Sequence, residues 1–195
     1  MLKLENGMVA VKVGLQATSP LIYGGKIVSE RIKGETGLEH DKRCWMEKAF
    51  VNDEGKFYIP AYAFKQTLLE AAKMMDENYK LDIVDVKDDD GDILDNYYQL
   101  MFGKRCRILK DIFLETYGEV QPVEMKSGGD IKFFPSVGGW TATTELLFAG
   151  NVFTTGDLKG VVKQVFNIAG IFIGVMAYTP RVNREFGTFE VKTII

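Results

Sequence analysis

This chain of 195 residues has little of several residue types that mark particular classes of protein. It holds only two cysteines, Cys44 and Cys106, which are far apart in sequence and predict free thiols in a reducing cytosol, not a disulfide framework. No run approaches 18 apolar residues, so no transmembrane helix is predicted. The first residues lack the long apolar stretch of a secretory signal, and we therefore expect a cytoplasmic protein.

Histidine is even scarcer than cysteine, because His40 is the only one. It lies four residues before Cys44, but a zinc site needs further ligands that no neighbouring pattern supplies. A Cys–His nucleophile would also need an orienting group. A phosphate-binding Gly-x-x-x-x-Gly-Lys-Ser/Thr sequence is missing as well. We expect no cofactor, no metal ion and no catalytic residue, and the sequence favours a protein that is not an enzyme.

Charge is distributed unevenly along the chain. The whole chain carries −3, and residues 82–95, with seven aspartates and one lysine, contribute −6 of this, so the remainder carries +3. The calcium-loop pattern fails at Val86 and Tyr97, where ligands would be required. The segment is therefore either a solvated acidic turn or a loose magnesium or calcium site, and it could also contact the basic face of a neighbouring subunit.

Hydrophobic periodicity predicts an α+β fold in a single domain, residues 1–195. Alternating apolar residues indicate strands at 8–18, 104–117 (with broken alternation), 140–149 and 186–194. Three- and four-residue spacing indicates helices at 61–76 and 156–172, with a short helix at 95–103. The order βαββαβ is that of the ferredoxin-like fold, with an antiparallel sheet and both helices on one face. Insertions are expected at about 19–56, which reads as irregular, at 77–103, and at 118–139, which reads as a long loop or a small hairpin.

Two basic sets are candidate phosphate contacts. The loop 178–187 combines Arg181 and Arg184 with Tyr178, Phe186 and a glycine that frees backbone amides. Aromatic side chains in such a loop suit stacking on unpaired bases, although a solvated turn with a buried aromatic pair gives the same pattern. Gly170 and Gly174, just before this loop, could serve only to let the helix pack closely on the sheet. The second set, Lys104, Arg105, Arg107 and Lys110, lies on a predicted strand that places Arg105 and Arg107 on one face.

The segment Phe57-Tyr58-Ile59-Pro60-Ala61-Tyr62-Ala63-Phe64-Lys65, followed by an apolar helix, resembles the Ile-Pro–helix segment of the RAMP superfamily, the backbone subunits of CRISPR effector complexes. Those proteins are ferredoxin-like and end in a glycine-rich loop before the last strand. The resemblance implies an RRM-like nucleic-acid-binding domain. Some members cut RNA with an aspartate upstream of the Ile-Pro segment, and Asp41 lies in a comparable region.

The chain is also similar, along most of its length, to a bacteriophage family without a settled activity. The matching motifs are Ser19-Pro20-Leu21, Cys44-Trp45-Met46-Glu47, Ala169-Gly170, Ile173-Gly174, Pro180-Arg181 and Gly187-Thr188-Phe189. This similarity implies a phage-type protein acting in the cytoplasm of a bacterial host. Where the family carries basic residues, this chain has Ala177, Thr179 and Thr188, which removes phosphate-facing charge.

Together these features predict a non-catalytic protein that binds single-stranded nucleic acid, as a homo-oligomer and away from membranes. We expect phosphate contacts from Arg181, Arg184, Lys65, Arg105 and Arg107, and stacking by Trp45, Tyr178 and Phe186. The alternative is an interaction or structural protein, such as an inhibitor of a host complex or a virion component. A metal-dependent nuclease is the third possibility.

Overall fold

The structure, a computed structural model, describes residues 2–3, 8–78, 97–127, 129–149, 158–182 and 185–195. The acidic segment 82–95 and Arg184 lie outside these ranges. Within them the chain is an α+β protein with antiparallel sheets and four α-helices. The strands are β1 (Leu2–Lys3), β2 (Val9–Ala17), β3 (Leu21–Ile22), β4 (Tyr58–Ile59), β5 (Cys106–Ile108), β6 (Ile112–Thr116), β7 (Val120–Ser127), β8 (Asp130–Val137), β9 (Thr141–Phe148) and β10 (Phe189–Ile194). The helices are α1 (Gly37–Cys44), α2 (Ala61–Asn78), α3 (Tyr97–Gly103) and α4 (Leu158–Ile168).

The larger sheet is centred on β2, whose side chains alternate between buried and exposed as its sequence predicts. This strand pairs antiparallel with β9 along its whole length and with β10 on its other edge. Both β5 and β6 pair with the far edge of β9. The strand predicted at 104–117 is therefore two short strands separated by an irregular segment, which explains its broken alternation. The resulting order is β10, β2, β9 and then β5 with β6.

Helices α2 and α4 pack together on one face of this sheet. Phe64 of α2 contacts Phe166 of α4 and Phe189 of β10, with ring centroids 5.7 Å apart in both pairs. Each of these rings is buried, and burial of a side chain of this size contributes about 1.5–3 kcal/mol. The predicted helix at 61–76 is confirmed with two further residues, and the short helix predicted at 95–103 is observed as α3.

The helix predicted at 156–172 has an unusual end. Its regular part stops at Ile168, and a single π-helical turn, Ala169–Ile173, continues it. Gly174 then ends the turn with a positive φ of 72°. Gly170 lies against the backbone of β10, where any β-carbon would collide with the Phe189 carbonyl oxygen. The close-packing interpretation of this glycine is therefore the one that the structure supports.

The expectation that residues 19–56 are irregular is wrong for part of this insertion. Residues 37–44 form α1, and Thr36 caps it: the Glu39 amide donates to the Thr36 hydroxyl, while the Glu39 carboxylate accepts from the Thr36 amide. This reciprocal capping pattern is visible in the sequence as Thr-x-x-Glu. A short 3-10 turn, Trp45–Lys48, follows directly.

The insertion at 118–139 is a hairpin, so the hairpin alternative is confirmed. Strands β7 and β8 pair from Val120↔Val137 to Ser127↔Asp130, and β3 adds to the other edge of β8. This second, three-stranded sheet packs against α1 and the 3-10 turn that follows it. The two insertions thus form one layered unit beside the central sheet.

Candidate functional site

The loop that precedes β10 uses its backbone amides internally. A glycine-rich turn binds phosphate only when its amides are free to donate, and here at least six of them already donate to the chain. Gly187 shows how closely the loop packs on neighbouring backbone, because its φ is 70° and a β-carbon there would collide with the Val175 carbonyl oxygen. The donors are the amides of Gly174, Val175, Ala177, Phe186, Gly187 and Thr188.

The side chains of this loop are also engaged. Arg181 Nη1 lies 2.5 Å from Glu70 Oε1 on α2, which neutralises the arginine at a half-exposed position. The ring of Tyr178 meets the ring of Phe134 on the hairpin edge to face, with centroids 5.0 Å apart. Phe186 is half-buried. The buried-aromatic alternative therefore describes Tyr178 better than a free stacking platform does.

Lys65 is turned into the protein. Its amine donates to the carbonyl oxygens of Phe102 and Cys106, and so ties α2 to α3 and β5. Partial burial lowers the pKa of Lys65, because desolvation disfavours the charged amine. A side chain held by two backbone carbonyls is poorly placed to contact a phosphate, and no local sequence pattern indicates this role.

Arg105 and Arg107 lie at the opposite end of the sheet from the loop. Arg107 pairs with Leu147, which lies opposite Ala10, whereas the loop leads into Phe189 opposite Ala17. Seven residues of strand separate these positions, or about 23 Å. Trp45 is half-buried in the 3-10 turn beside the hairpin. The predicted contact residues therefore do not form one surface.

The sheet face turned away from α2 and α4 is here called the outer face. It brings together a different set of side chains from the one that the sequence predicted. The strand registers align its side chains in rows about 7 Å apart, the spacing of every second residue along a strand. One row runs from Arg107 through Leu147 to Ala10, and the next from Glu145 to Lys12. A third row places Tyr58 beside Phe113 and continues to Thr143 and Gly14.

Phe113 and Tyr58 form the aromatic part of the outer face. They are cross-strand partners on β6 and β4, with ring centroids 5.7 Å apart, and Phe113 is 37% exposed. Their sequence neighbours Ile112 and Ile59 point into the core, so alternation fixes the two rings outward. Only the pairing of two strands that are more than 50 residues apart reveals this pair, which is why sequence reasoning missed it.

Charged side chains of both signs meet at one end of the outer face. The cations Lys12 and Lys110 line a shallow depression of about 220 Å³ together with Phe113, Thr143 and the carboxylates of Asp111, Glu115 and Glu145, and a third cation, Arg107, lies one row away. Within the described ranges, none of these three cations has a carboxylate within ion-pair distance. Asp111 beside them is already used, because its carboxylate caps α2 by accepting from the Ala61 amide at 2.8 Å. Glu190 lies toward the other end, opposite Gln16.

Asp41, the residue that matches a cleavage position of some RAMP proteins, is buried in an ion pair. Its Oδ1 lies 2.6 Å from Lys48 Nζ, and its Oδ2 accepts from the Phe133 amide at 2.5 Å. Lys48 also donates to the Phe133 carbonyl oxygen at 2.6 Å and lies over the Phe134 ring. Both carboxylate oxygens therefore hold the hairpin in place, which argues against a catalytic role for Asp41.

The other candidate reactive residues, one histidine and two cysteines, have structural surroundings. The His40 Nε2 lies 2.8 Å from the Ser29 carbonyl oxygen, so this nitrogen carries the proton. Cys44 and Cys106 are both free, as predicted, and both are buried. Burial raises the pKa of each thiol, to about 12 for Cys106. Over the part of the chain that the structure describes, no three His, Cys, Asp or Glu side chains cluster closely enough to hold a metal ion.

None of the described helices combines the length and apolarity needed to cross a membrane. No protein-family model matches the sequence, and no curated protein matches it. Among solved structures, the chain is similar to the crystal structure of Cmr6 from Pyrococcus furiosus, with a TM-score of 0.49 and 12% sequence identity. The match covers 97% of this chain and 100% of that one.

Proposed function

We propose that this chain is a non-catalytic protein that binds single-stranded nucleic acid on the outer face of its central sheet. The observation that carries the proposal is the cross-strand aromatic pair of half-buried Tyr58 and exposed Phe113, on the same face as Arg107, Lys12 and Lys110. Aromatic rings stack on bases of any sequence, and cations beside them track the phosphates. Rows spaced about 7 Å apart suit the repeat of successive nucleotides in an extended strand.

The topology supports the same proposal. The strand order β10, β2, β9 and β5 with β6, with α2 and α4 together on one face, is consistent with the predicted ferredoxin-like core. That arrangement leaves the other face available to a ligand, as in RRM domains. A RAMP-like, phage-type protein that acts as a homo-oligomer remains our prediction from the sequence.

Fluorescence anisotropy with a labelled single-stranded oligonucleotide tests the proposal at low salt. We expect micromolar binding that weakens as salt rises, because phosphate contacts release counterions. Phe113→Ala should weaken binding about tenfold, since stacking on one ring contributes roughly 1–3 kcal/mol. Arg107→Ala should weaken it less and flatten the salt dependence.

A second candidate function, an interaction or structural protein, is favoured by an exposed apolar patch. Ile171, Phe172 and Val182 are 59%, 52% and 53% exposed, and they lie on two short turns that pack against each other. Exposed apolar side chains that cluster in this way are typical of protein contacts. The mass in solution distinguishes a self-association surface: Phe172→Asp should convert an oligomer to the monomer, whereas an unchanged mass excludes this patch as the subunit contact.

A further inference from the structure

A cleft separates α1 from the tip of the β7–β8 hairpin. Its volume is about 670 Å³, within the range of small-molecule sites. One wall is α1 with the segment before it, and the other is the hairpin. The lining residues are Arg31, Gly37, Leu38, His40, Asp41, Gly129, Asp130, Ile131 and Lys132.

Each wall contributes one cation. Arg31 lies over the first residue of α1, where its guanidinium would be 3.1 Å from a β-carbon added at Gly37, and Lys132 lines the cleft from β8. Neither has a carboxylate within ion-pair distance among the described residues. The charge of Asp41 at the edge of the cleft is neutralised by Lys48. Asp130 is the remaining carboxylate in the lining, so the fixed charge of the cleft is positive.

Each wall also contributes one large apolar side chain. Leu38 on α1 is 47% exposed and Ile131 on the hairpin is 40% exposed, although both belong to ordered elements. Apolar groups that remain exposed inside a concave site gain free energy when a flat apolar ligand covers them. The buried Asp41–Lys48 pair fixes the separation of the two walls, so the cleft exists before any ligand arrives.

We propose that this cleft binds a nucleoside phosphate, with Arg31 and Lys132 on the phosphate and Leu38 and Ile131 on either side of the base. The two kinds of contact together select the ligand class: an inorganic anion would leave the apolar side chains uncovered, and a bare nucleoside would leave the cations without a partner. This site is separate from the outer face and does not depend on nucleic acid binding there.

Isothermal titration of the full chain with ADP, inorganic phosphate and adenosine tests the assignment. ADP should bind at one site per chain, and phosphate and adenosine should each bind at least tenfold more weakly. Arg31→Ala and Lys132→Ala should each weaken ADP binding about tenfold, as expected for a charge-assisted contact. Leu38→Ser should weaken binding of ADP without changing binding of phosphate.

The matched control is Lys126→Ala, which removes an exposed cation from the same hairpin outside the cleft. Its ADP affinity should stay within twofold of the wild type. No saturable ADP binding, an equal loss in Lys126→Ala, or phosphate binding as tight as ADP would each overturn the proposal. Phe113→Ala should leave ADP binding unchanged, so failure of this site and failure of the outer-face proposal are distinguishable. Thermal unfolding of each variant verifies that it is folded.

Discussion

Asp41 and Lys48 lie 2.6 Å apart beneath the β7–β8 hairpin, and together they satisfy both backbone groups of Phe133. The Phe133 amide donates to the aspartate, and the Phe133 carbonyl accepts from the lysine. A neighbouring strand would normally supply these two partners. Strand β3 has already ended at this point of the edge of β8. The side chains of the ion pair therefore supply the hydrogen-bond partners that a strand would otherwise provide.

Breaking this pair should destabilise the protein strongly. Asp41→Asn and Lys48→Met should each lower the free energy of unfolding by about 3–5 kcal/mol, because each leaves a buried group without its partner. Replacing both residues together, as Asp41→Leu with Lys48→Met, should restore part of this loss. Urea unfolding measures all three variants.

The exposed pair Glu54–Lys56 serves as the control for the buried one, since its side chains are mostly in solvent. Glu54→Gln should change the free energy of unfolding by less than about 0.5 kcal/mol. If Asp41→Asn were equally mild, the ion pair would not be what holds the hairpin.

Gly170 should be intolerant of any side chain. A β-carbon at this position overlaps the Phe189 carbonyl oxygen on β10, and neither backbone can move without disturbing the sheet. Gly170→Ala should therefore lower the free energy of unfolding by about 3 kcal/mol, at the upper end of overpacking effects. Gly138→Ala is the control, because space is open around Gly138. Melting temperatures that fall equally in both variants would contradict the close-packing role.

Sequence reasoning succeeded where one strand or helix decides the pattern and failed where a contact joins distant segments. The alternation in β2 and the spacing in α4 reflect burial on one face, so the main elements were predicted within a few residues. The partners of Lys65, Arg181 and Tyr178 depend on α3, α2 and the hairpin, which no local pattern specifies. A basic residue in a loop looks the same in sequence whether it faces a ligand or a carboxylate.

The outer-face residues show the same limit. Tyr58 was visible as part of an extended segment and Phe113 as part of a strand, but their adjacency follows only from the pairing of β4 with β6. Prediction of the insertion at 19–56 failed for a different reason. Its helix α1 is short and polar, so hydrophobic periodicity gave no signal, and only the Thr36–Glu39 capping pattern marks its start.

Tyr23 should be replaceable by phenylalanine with a gain in stability. Its side chain is fully buried, and its hydroxyl finds no hydrogen-bond partner in the described ranges. Burial also raises the pKa of Tyr23, so the hydroxyl stays protonated. Tyr23→Phe keeps the ring contacts with Phe50 and Phe57 and should raise the free energy of unfolding by up to about 1 kcal/mol. Tyr62→Phe, at an exposed position, should change nothing; a loss of stability in Tyr23→Phe would reveal a partner for the hydroxyl.

The segment that joins β3 to α1 should detach in acid. Glu47 accepts hydrogen bonds from the Ser29 hydroxyl and from the amides of Ser29 and Val28, and these bonds lower the pKa of its carboxyl to about 2. Because the folded-state pKa lies below the ordinary value of 4.5, the unfolded state binds more protons between these values. The stabilisation is therefore complete above about pH 4.5 and is lost as the pH falls toward 2.

Glu35 strengthens this effect, since its ion pair with Arg43 also lowers the pKa of its carboxyl to about 2. The amide resonances of Val28 and Ser29, followed by NMR from pH 7 to pH 2, should shift together with a midpoint near the pKa of Glu47. In Glu47→Gln the shift should disappear, because an amide side chain does not titrate. A midpoint near 4.5 in the wild type would mean that the carboxylate does not hold this segment.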